Sequence, residues 1–220
     1  MRIYDCVQGS EEWERIRKGR PTGSQFGKIV TPKQLKLSAQ SITYAIKLAA
    51  ERLGVETPSR MPSQQMMDGT EREPYARMEY AEINGVEVDE VGFCVPDYTD
   101  LWGMSPDGLI GLDGNRCDGL LEIKCPEVET LIQYHLDGVL PSDYTAQVQG
   151  QLWIAGAAWC DFFAWHPEIE PFQLRVYPDV KYHEALEKAL PAFVSMVDGI
   201  VAKVKKRDVF GIDFSGVQNG

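Results

Sequence analysis

Histidine is scarce in this sequence, and cysteine shows no pairing pattern. The three histidines, His135, His166 and His183, are scattered, so spacing gives neither a histidine metal site nor a Ser/His triad. Five cysteines (6, 94, 117, 125 and 160) contain no CxxC. That excludes a zinc ribbon and argues against a four-cysteine iron–sulfur cluster. An odd, dispersed set fits reduced thiols in the cytoplasm. No apolar run approaches the ~20 residues of a membrane-spanning helix. The opening MRIYDCVQGSEEWE lacks an apolar core, so no signal peptide is expected there. There is no phosphate-binding P-loop, no dinucleotide fingerprint, no internal repeat and no low-complexity tract. Basic charge is also short: 22 Lys and Arg against 33 Asp and Glu give a net charge of −11. Nucleic-acid binders usually carry a basic footprint, so the balance alone argues against that class. Two basic clusters run against it: Arg15, Arg17, Lys18 and Arg20, then Lys203, Lys205, Lys206 and Arg207. Each is also what a solvated helix face would show.

What is present is a globular composition, 44% hydrophobic and 25% charged, over a length that suits one domain spanning residues 1–220. The chain is organised around Ser105–Pro126, SPDGLIGLDGNRCDGLLEIKCP. Leu109–Leu112 and Leu120–Cys125 read as strands, with Asp113-Gly114-Asn115 as their turn. A hairpin symmetric about Gly114/Asn115 sets Asp107 opposite Glu122, with Cβ atoms roughly 4.5–5.5 Å apart. Alternation puts Glu122 and Lys124 on one face, Ile123 and Cys125 on the other. Pro126 ends the ladder.

Two carboxylates held that close repel unless a proton or cation lies between them. A hard divalent cation such as Mg2+ suits such a pair, leaving room for water and phosphate. A neighbouring lysine can orient or deprotonate an attacking water and offset charge. Together these residues suggest metal-assisted phosphodiester hydrolysis. The plainer alternative is a surface hairpin with a cross-strand ion pair.

Along the chain, Ser10 caps a short helix ending at Gly19, with Trp13 and Ile16 on its buried side. Thr22 or Ser24 starts a second, Gln25–Val30. Ser41–Leu53 reads as an amphipathic helix burying Ile42, Ala45, Ile46, Ala49, Ala50 and Leu53. Residues 54–68 read as a loop. A helix over 70–82 begins with Thr70-x-x-Glu73, which has capping-box spacing. Gly85–Val95 reads as a strand and 127–140 as an irregular, helix-containing connection. Ser142 or Asp143 caps a helix to Ala155, with Val148, Leu152 and Ala155 buried. Tyr144, Gln147 and Gln151 fall on another face of it. Strands at Trp159–Trp165 and Phe172–Tyr177 flank a His166-Pro167 turn. A final helix from Asp179 should be kinked or divided at Pro191. Strands between helical flanks indicate an α/β fold, a mixed sheet with helices on both faces.

The SPDG…EIKCP combination resembles the PD-(D/E)XK nuclease superfamily. More narrowly it resembles the phage lambda exonuclease family of YqaJ-like viral recombinases. QGSEEW at 8–13, RKGRPTGS at 17–24, GTEREP at 69–74 and YTAQVQGQLW at 144–153 agree in order and spacing. The resemblance covers roughly 8–165 and implies a restriction-endonuclease-like core. It implies a Mg2+-dependent exonuclease, with Mn2+ as a substitute, degrading the 5′-ended strand of linear double-stranded DNA and leaving 3′ overhangs. Asp107 and Glu122 would ligate metal, with the Ile123 carbonyl as a further ligand. Glu73, with Arg72 beside it, would complete the site rather than cap its helix. Lys124 would activate water, and Gln147 would position it or the phosphate. Arg17, Ser24 and Ser105 would hold a 5′-terminal phosphate. The family has a second arginine a few residues beyond the ExK lysine. Thr130 stands there in this chain, so either anchoring is weaker or another cation such as Arg20 reaches the pocket. The resemblance further implies a homotrimeric ring, a single-strand annealing protein as partner, no membrane, and a phage- or prophage-encoded protein in the bacterial cytoplasm. An endonuclease, a DNA-binding module with a degenerate site and a structural phage protein are the rival readings.

Overall fold

The computed structural model describes residues 1–55 and 64–204. Strand β1 (Arg2–Tyr4) leads into helix α1 (Glu11–Arg17), where Ser10 Oγ accepts from Trp13 N at 3.2 Å. A 3-10 turn (Gly23–Lys28), a small hairpin of β2 (Val30–Thr31) and β3 (Lys36–Leu37), and helix α2 (Ser41–Arg52) follow. Helix α3 (Gln64–Asn84) precedes β4 (Val88–Asp89), β5 (Phe93–Val95), β6 (Gly108–Ile110) and β7 (Gly119–Lys124). Helices α4 (Val128–Asp137) and α5 (Ser142–Ala155) form the crossover to β8 (Trp159–His166). Strand β9 (Ile169–Val176) and helix α6 (Val180–Lys203) complete the fold.

The main sheet has the order β4-β6-β7-β8-β9; β7 and β8 are parallel and the other pairs antiparallel. Helix α3 covers one face, burying Ala76 and Tyr80 with Ile110, Leu121, Ile123 and Phe163. Helices α5 and α6, with α2, bury Leu109, Leu120 and Cys160 on the other. The expected α/β class, a mixed sheet between helices, is what the chain forms. No helix among the described residues is long and apolar enough to cross a membrane.

Several local expectations change. Helix α3 starts at Gln64, so Thr70-x-x-Glu73 lies inside it and cannot cap its N-terminus; Pro74 is interior too. The expected Gly85–Val95 strand is split into β4 and β5, which join different sheets. Between them Gly92 lies so close to the β1 end of the chain that a Cβ would sit 2.2 Å from the Cys6 carbonyl oxygen. On α2 the buried face is turned from the expected one: Tyr44, Ala45, Leu48 and Ala49 are buried, whereas Ile42 and Ile46 are exposed. Tyr44 stacks on Phe193 of α6 (5.5 Å between centroids) and accepts from Thr22 N, which turns that face of the helix to the core. Pro191 does not divide α6, because Leu186, Leu190, Phe193, Val194 and Val197 form one continuous buried stripe across it. Residues 128–137 form a regular helix ended by Gly138 in the left-handed region (φ 62°). Pro141 is the N-cap of α5, with no side-chain cap from Ser142 or Asp143. Ala155 is only half-buried. Of the C-terminal basic cluster, Lys205, Lys206 and Arg207 lie outside the described residues.

Candidate active site

Gly114-Asn115 closes the β6–β7 hairpin, with Asp113 N donating to Arg116 O (2.8 Å) and Arg116 N to Asp113 O (3.1 Å). Gly114 takes the positive φ (59°) that such a tight turn requires. Gly108 pairs with Leu121 and Leu109 with Leu120. Extended by one residue, that register sets Asp107 opposite Glu122, as expected. Asp107 Oδ2 accepts from Ile123 N at 2.7 Å, which pins its carboxylate to the end of β7.

Glu122 is fully buried and faces α5. Lys124 Nζ donates to its Oε1, and Gln147 Nε2 donates to the same oxygen at 2.5 Å. Gln151 Nε2 donates to Oε2 at 2.8 Å. Lys124 Nζ also donates to the Ile123 carbonyl (2.9 Å) and lies 4.0 Å from Asp107 Oδ2 and 5.3 Å from the Tyr144 ring. Tyr144, Gln147 and Gln151 therefore present one side of α5 to the hairpin's polar face. The sequence marked that stripe but singled out only Gln147.

Glu73 comes from the opposite layer. Arg77, one turn along α3, donates from Nη2 to Glu73 Oε1 (2.5 Å) and from Nε to the Asp107 carbonyl (2.9 Å). It also pairs with Glu90 at 3.0 Å. Arg77 was missed at the level of sequence, although its i,i+4 spacing from Glu73 was a usable signal.

The electrostatics follow from burial and crowding. Burial raises Glu122 to about 7, with Asp107 pushing the same way against Lys124 and Gln151. Burial and Asp107 likewise raise Glu73, while Arg77 lowers it. Burial pulls Lys124 down, but Glu122 and Asp107 outweigh it and hold the amine above its usual range, as an ammonium. Asp107 thus disfavours the charge on two other acids, a conflict that a cation among them would relieve. The nearby donors are carboxylate and carbonyl oxygens, the hard set that suits Mg2+. Among the described residues no three His, Cys, Asp or Glu side chains already enclose a common point.

A second cluster adjoins this one. Trp13 Nε1 donates to Ser105 Oγ at 2.9 Å, and the Arg17 guanidinium lies 3.7 Å from the Trp13 ring centre. Arg17 Nε is buried without a partner among the described residues. Ser24 is exposed, and its Oγ lies 3.5 Å from Thr22 Oγ1. Gly23 N donates to the Gly103 carbonyl (2.9 Å), docking the turn that bears Ser24 beside the segment leading to Ser105. Arg20 is committed elsewhere: it donates to the Ile16 carbonyl and, at 2.7 Å, to the Asp100 carbonyl. Thr130 is exposed in the first turn of α4.

The family model of the YqaJ-like viral recombinase domain matches residues 12–158. An alkaline exonuclease from Laribacter hongkongensis, LHK-Exo, is 30% identical, with 88% of this chain and 95% of that one covered at a TM-score of 0.75. LHK-Exo in complex with dAMP gives a TM-score of 0.77 at the same identity and coverage. A phage-related exonuclease from Haemophilus somnus 129PT shares the fold at 13% identity, with 84% of this chain and 96% of that one covered and a TM-score of 0.63. A search of curated protein sequences gave no match. The family match takes in the hairpin, Glu73 of α3, Glu122 of β7 and the polar stripe of α5, and the chain belongs to the YqaJ-like viral recombinase family.

Proposed function

We propose that this protein is a Mg2+-dependent exonuclease that degrades the 5′-ended strand of linear double-stranded DNA and leaves 3′ single-stranded overhangs for annealing. Family membership and the exonuclease relatives support a DNA nuclease. The observation that carries the catalytic reading is the convergence of Asp107, Glu122 and Lys124 on the polar face of one hairpin. Asp107, Glu122 and the Ile123 carbonyl would hold the metal, with Glu73 as an additional acid. Mn2+ would meet the same oxygen donors. The metal would supply Lewis-acid activation of the phosphodiester and of the attacking water. Lys124, as an ammonium, would orient that water by hydrogen bonding and offset the charge developing on the phosphoryl oxygens. Gln147 would position the water or a phosphate oxygen; an amide cannot act as its base.

Arg17, Ser24 and Ser105 would anchor a 5′-terminal phosphate. The half-buried Arg17, with its unpartnered Nε, supports this role. A chain of net charge −11 attracts DNA poorly through its diffuse field, so enclosure by a homotrimeric ring would keep the enzyme on its substrate. A single-strand annealing protein would take up the overhang, in a bacterial cell carrying the phage or prophage.

Digestion of end-labelled linear duplex with and without Mg2+ tests the reading. Release of nucleotides from the 5′ end only with metal is the expected result. Cutting of closed circles would make it an endonuclease, and binding without cutting would leave only a DNA-binding module.

A further inference from the structure

Glu122 is held by three donors that are divided unevenly between its oxygens. Lys124 and Gln147 both reach Oε1, whereas Gln151 reaches Oε2. A carboxylate offers about four lone-pair directions, two on each oxygen. The two donors on Oε1 use its pair, and Gln151 uses one direction of Oε2, so that oxygen keeps one direction without a donor among the described residues. Gln151 itself is 1% exposed. Its amide nitrogen must face the acid, because its carbonyl oxygen would be repelled there. Its aliphatic part lies beside the turn bearing Ser24: a Cβ on Gly23 would sit 3.6 Å from Gln151 Cγ.

We propose that Gln151 is a positioning residue that fixes the rotation of the Glu122 carboxylate and so presents one direction of Oε2 to the metal. The inference rests on the metal-dependent nuclease reading. Lys124 and Gln147 both act on Oε1, and Gln151 is the one donor to Oε2 among the described residues, so it sets which direction of that oxygen stays open. Donors that orient metal ligands are typically worth about 10–100-fold in metal affinity.

The test replaces Gln151 by Met, which keeps the volume and removes the donor. Mg2+ is titrated against the thermal stability of the whole protein, and separately against cleavage of linear duplex. For Gln151→Met the Mg2+ concentration giving half of the full stabilisation should rise about tenfold or more. Duplex binding in chelator should match wild type. An unchanged Mg2+ midpoint overturns the proposal, whatever happens to the rate. If Gln151→Met does not fold, Gln151→Leu, which also lacks the donor, is titrated instead, and the same two outcomes decide. Failure of wild type to cleave with Mg2+ would instead overturn the nuclease reading on which the proposal depends.

Discussion

Arg77 grips Asp107 by its backbone carbonyl, at 2.9 Å, and through its other nitrogens takes the carboxylates of Glu73 and Glu90. One guanidinium from α3 thus ties the hairpin's acid to a second acid in a different layer of the fold. Lysine, a point charge without a fork, cannot reproduce the three contacts. Arg77→Lys and Arg77→Met should both slow single-turnover cleavage about 10–100-fold, since a charged hydrogen bond is worth about 1.5–3 kcal/mol. Circular dichroism should report an intact fold. Wild-type rates in both variants would show that the tie has no part in shaping the site.

Glu122→Gln and Lys124→Ala should each abolish cleavage while the protein remains folded. The two should separate in their response to metal. A ligand that binds only the folded state raises its stability, so saturating Mg2+ should raise the Tm of wild type and Lys124→Ala. Glu122→Gln should show little or none of that rise. A wild-type Tm indifferent to Mg2+ would contradict a cation between Asp107 and Glu122.

Burial raises Glu122 from its ordinary 4.5 to about 7. In the folded protein without metal this group therefore keeps its proton over a range in which the unfolded chain has lost it. More protons bound in the folded state mean that stability falls as pH rises. The contribution from Glu122 is complete below about 4.5 and is lost as pH climbs through about 7. Thermal melts in chelator at pH 5 and pH 8 should accordingly show Glu122→Gln gaining on wild type at the higher pH. A difference independent of pH would mean that Glu122 titrates as it does in the unfolded chain.

The proposed anchoring of a 5′-phosphate makes a separate prediction. Initial rates on 5′-phosphate and 5′-hydroxyl duplexes should favour the phosphate, and Arg17→Ala should nearly erase the preference. Arg20→Ala should leave it intact, because Arg20 is spent on the Ile16 and Asp100 carbonyls. Thr130→Arg should enlarge it by adding the fork that Thr130 lacks. Equal wild-type rates on the two ends would remove the pocket without touching the nuclease assignment.

The hairpin register was legible in the sequence because a two-residue turn leaves little freedom in pairing. With it came the opposition of Asp107 and Glu122 and the shared face of Glu122 and Lys124. The α5 stripe was legible from helical spacing, yet its meaning depended on which neighbour α5 would meet. Gln151 could not be told from a surface glutamine until Glu122 lay beneath it. Residue spacing alone could not decide how α3 begins. Its first turns carry polar residues that also suit a loop, and the capping-box pattern at Thr70 imitates a start. The rotation of α2 depends on partners remote in sequence, Phe193 of α6 among them. Gly92 broke the expected strand because of a backbone approach from Tyr4 and Cys6, a constraint that no local pattern contains.

The parallel pairing of β7 with β8 has a consequence for how this chain can change length. Parallel neighbours cannot be joined by a tight turn; the chain must travel back over the sheet before the next strand begins. Here α4 and α5 make that journey, and α5 delivers Tyr144, Gln147 and Gln151 to the acid at the end of the preceding strand. The return path and the support for Glu122 are therefore the same stretch of polypeptide. Insertions should be tolerated at Gly138–Pro141, between the two helices, where they interrupt neither. A deletion of one or two residues inside Ser142–Gln151 turns α5 by about 100° for each residue removed and carries both amides away from Glu122. Within this crossover, change in length is thus kept out of α5.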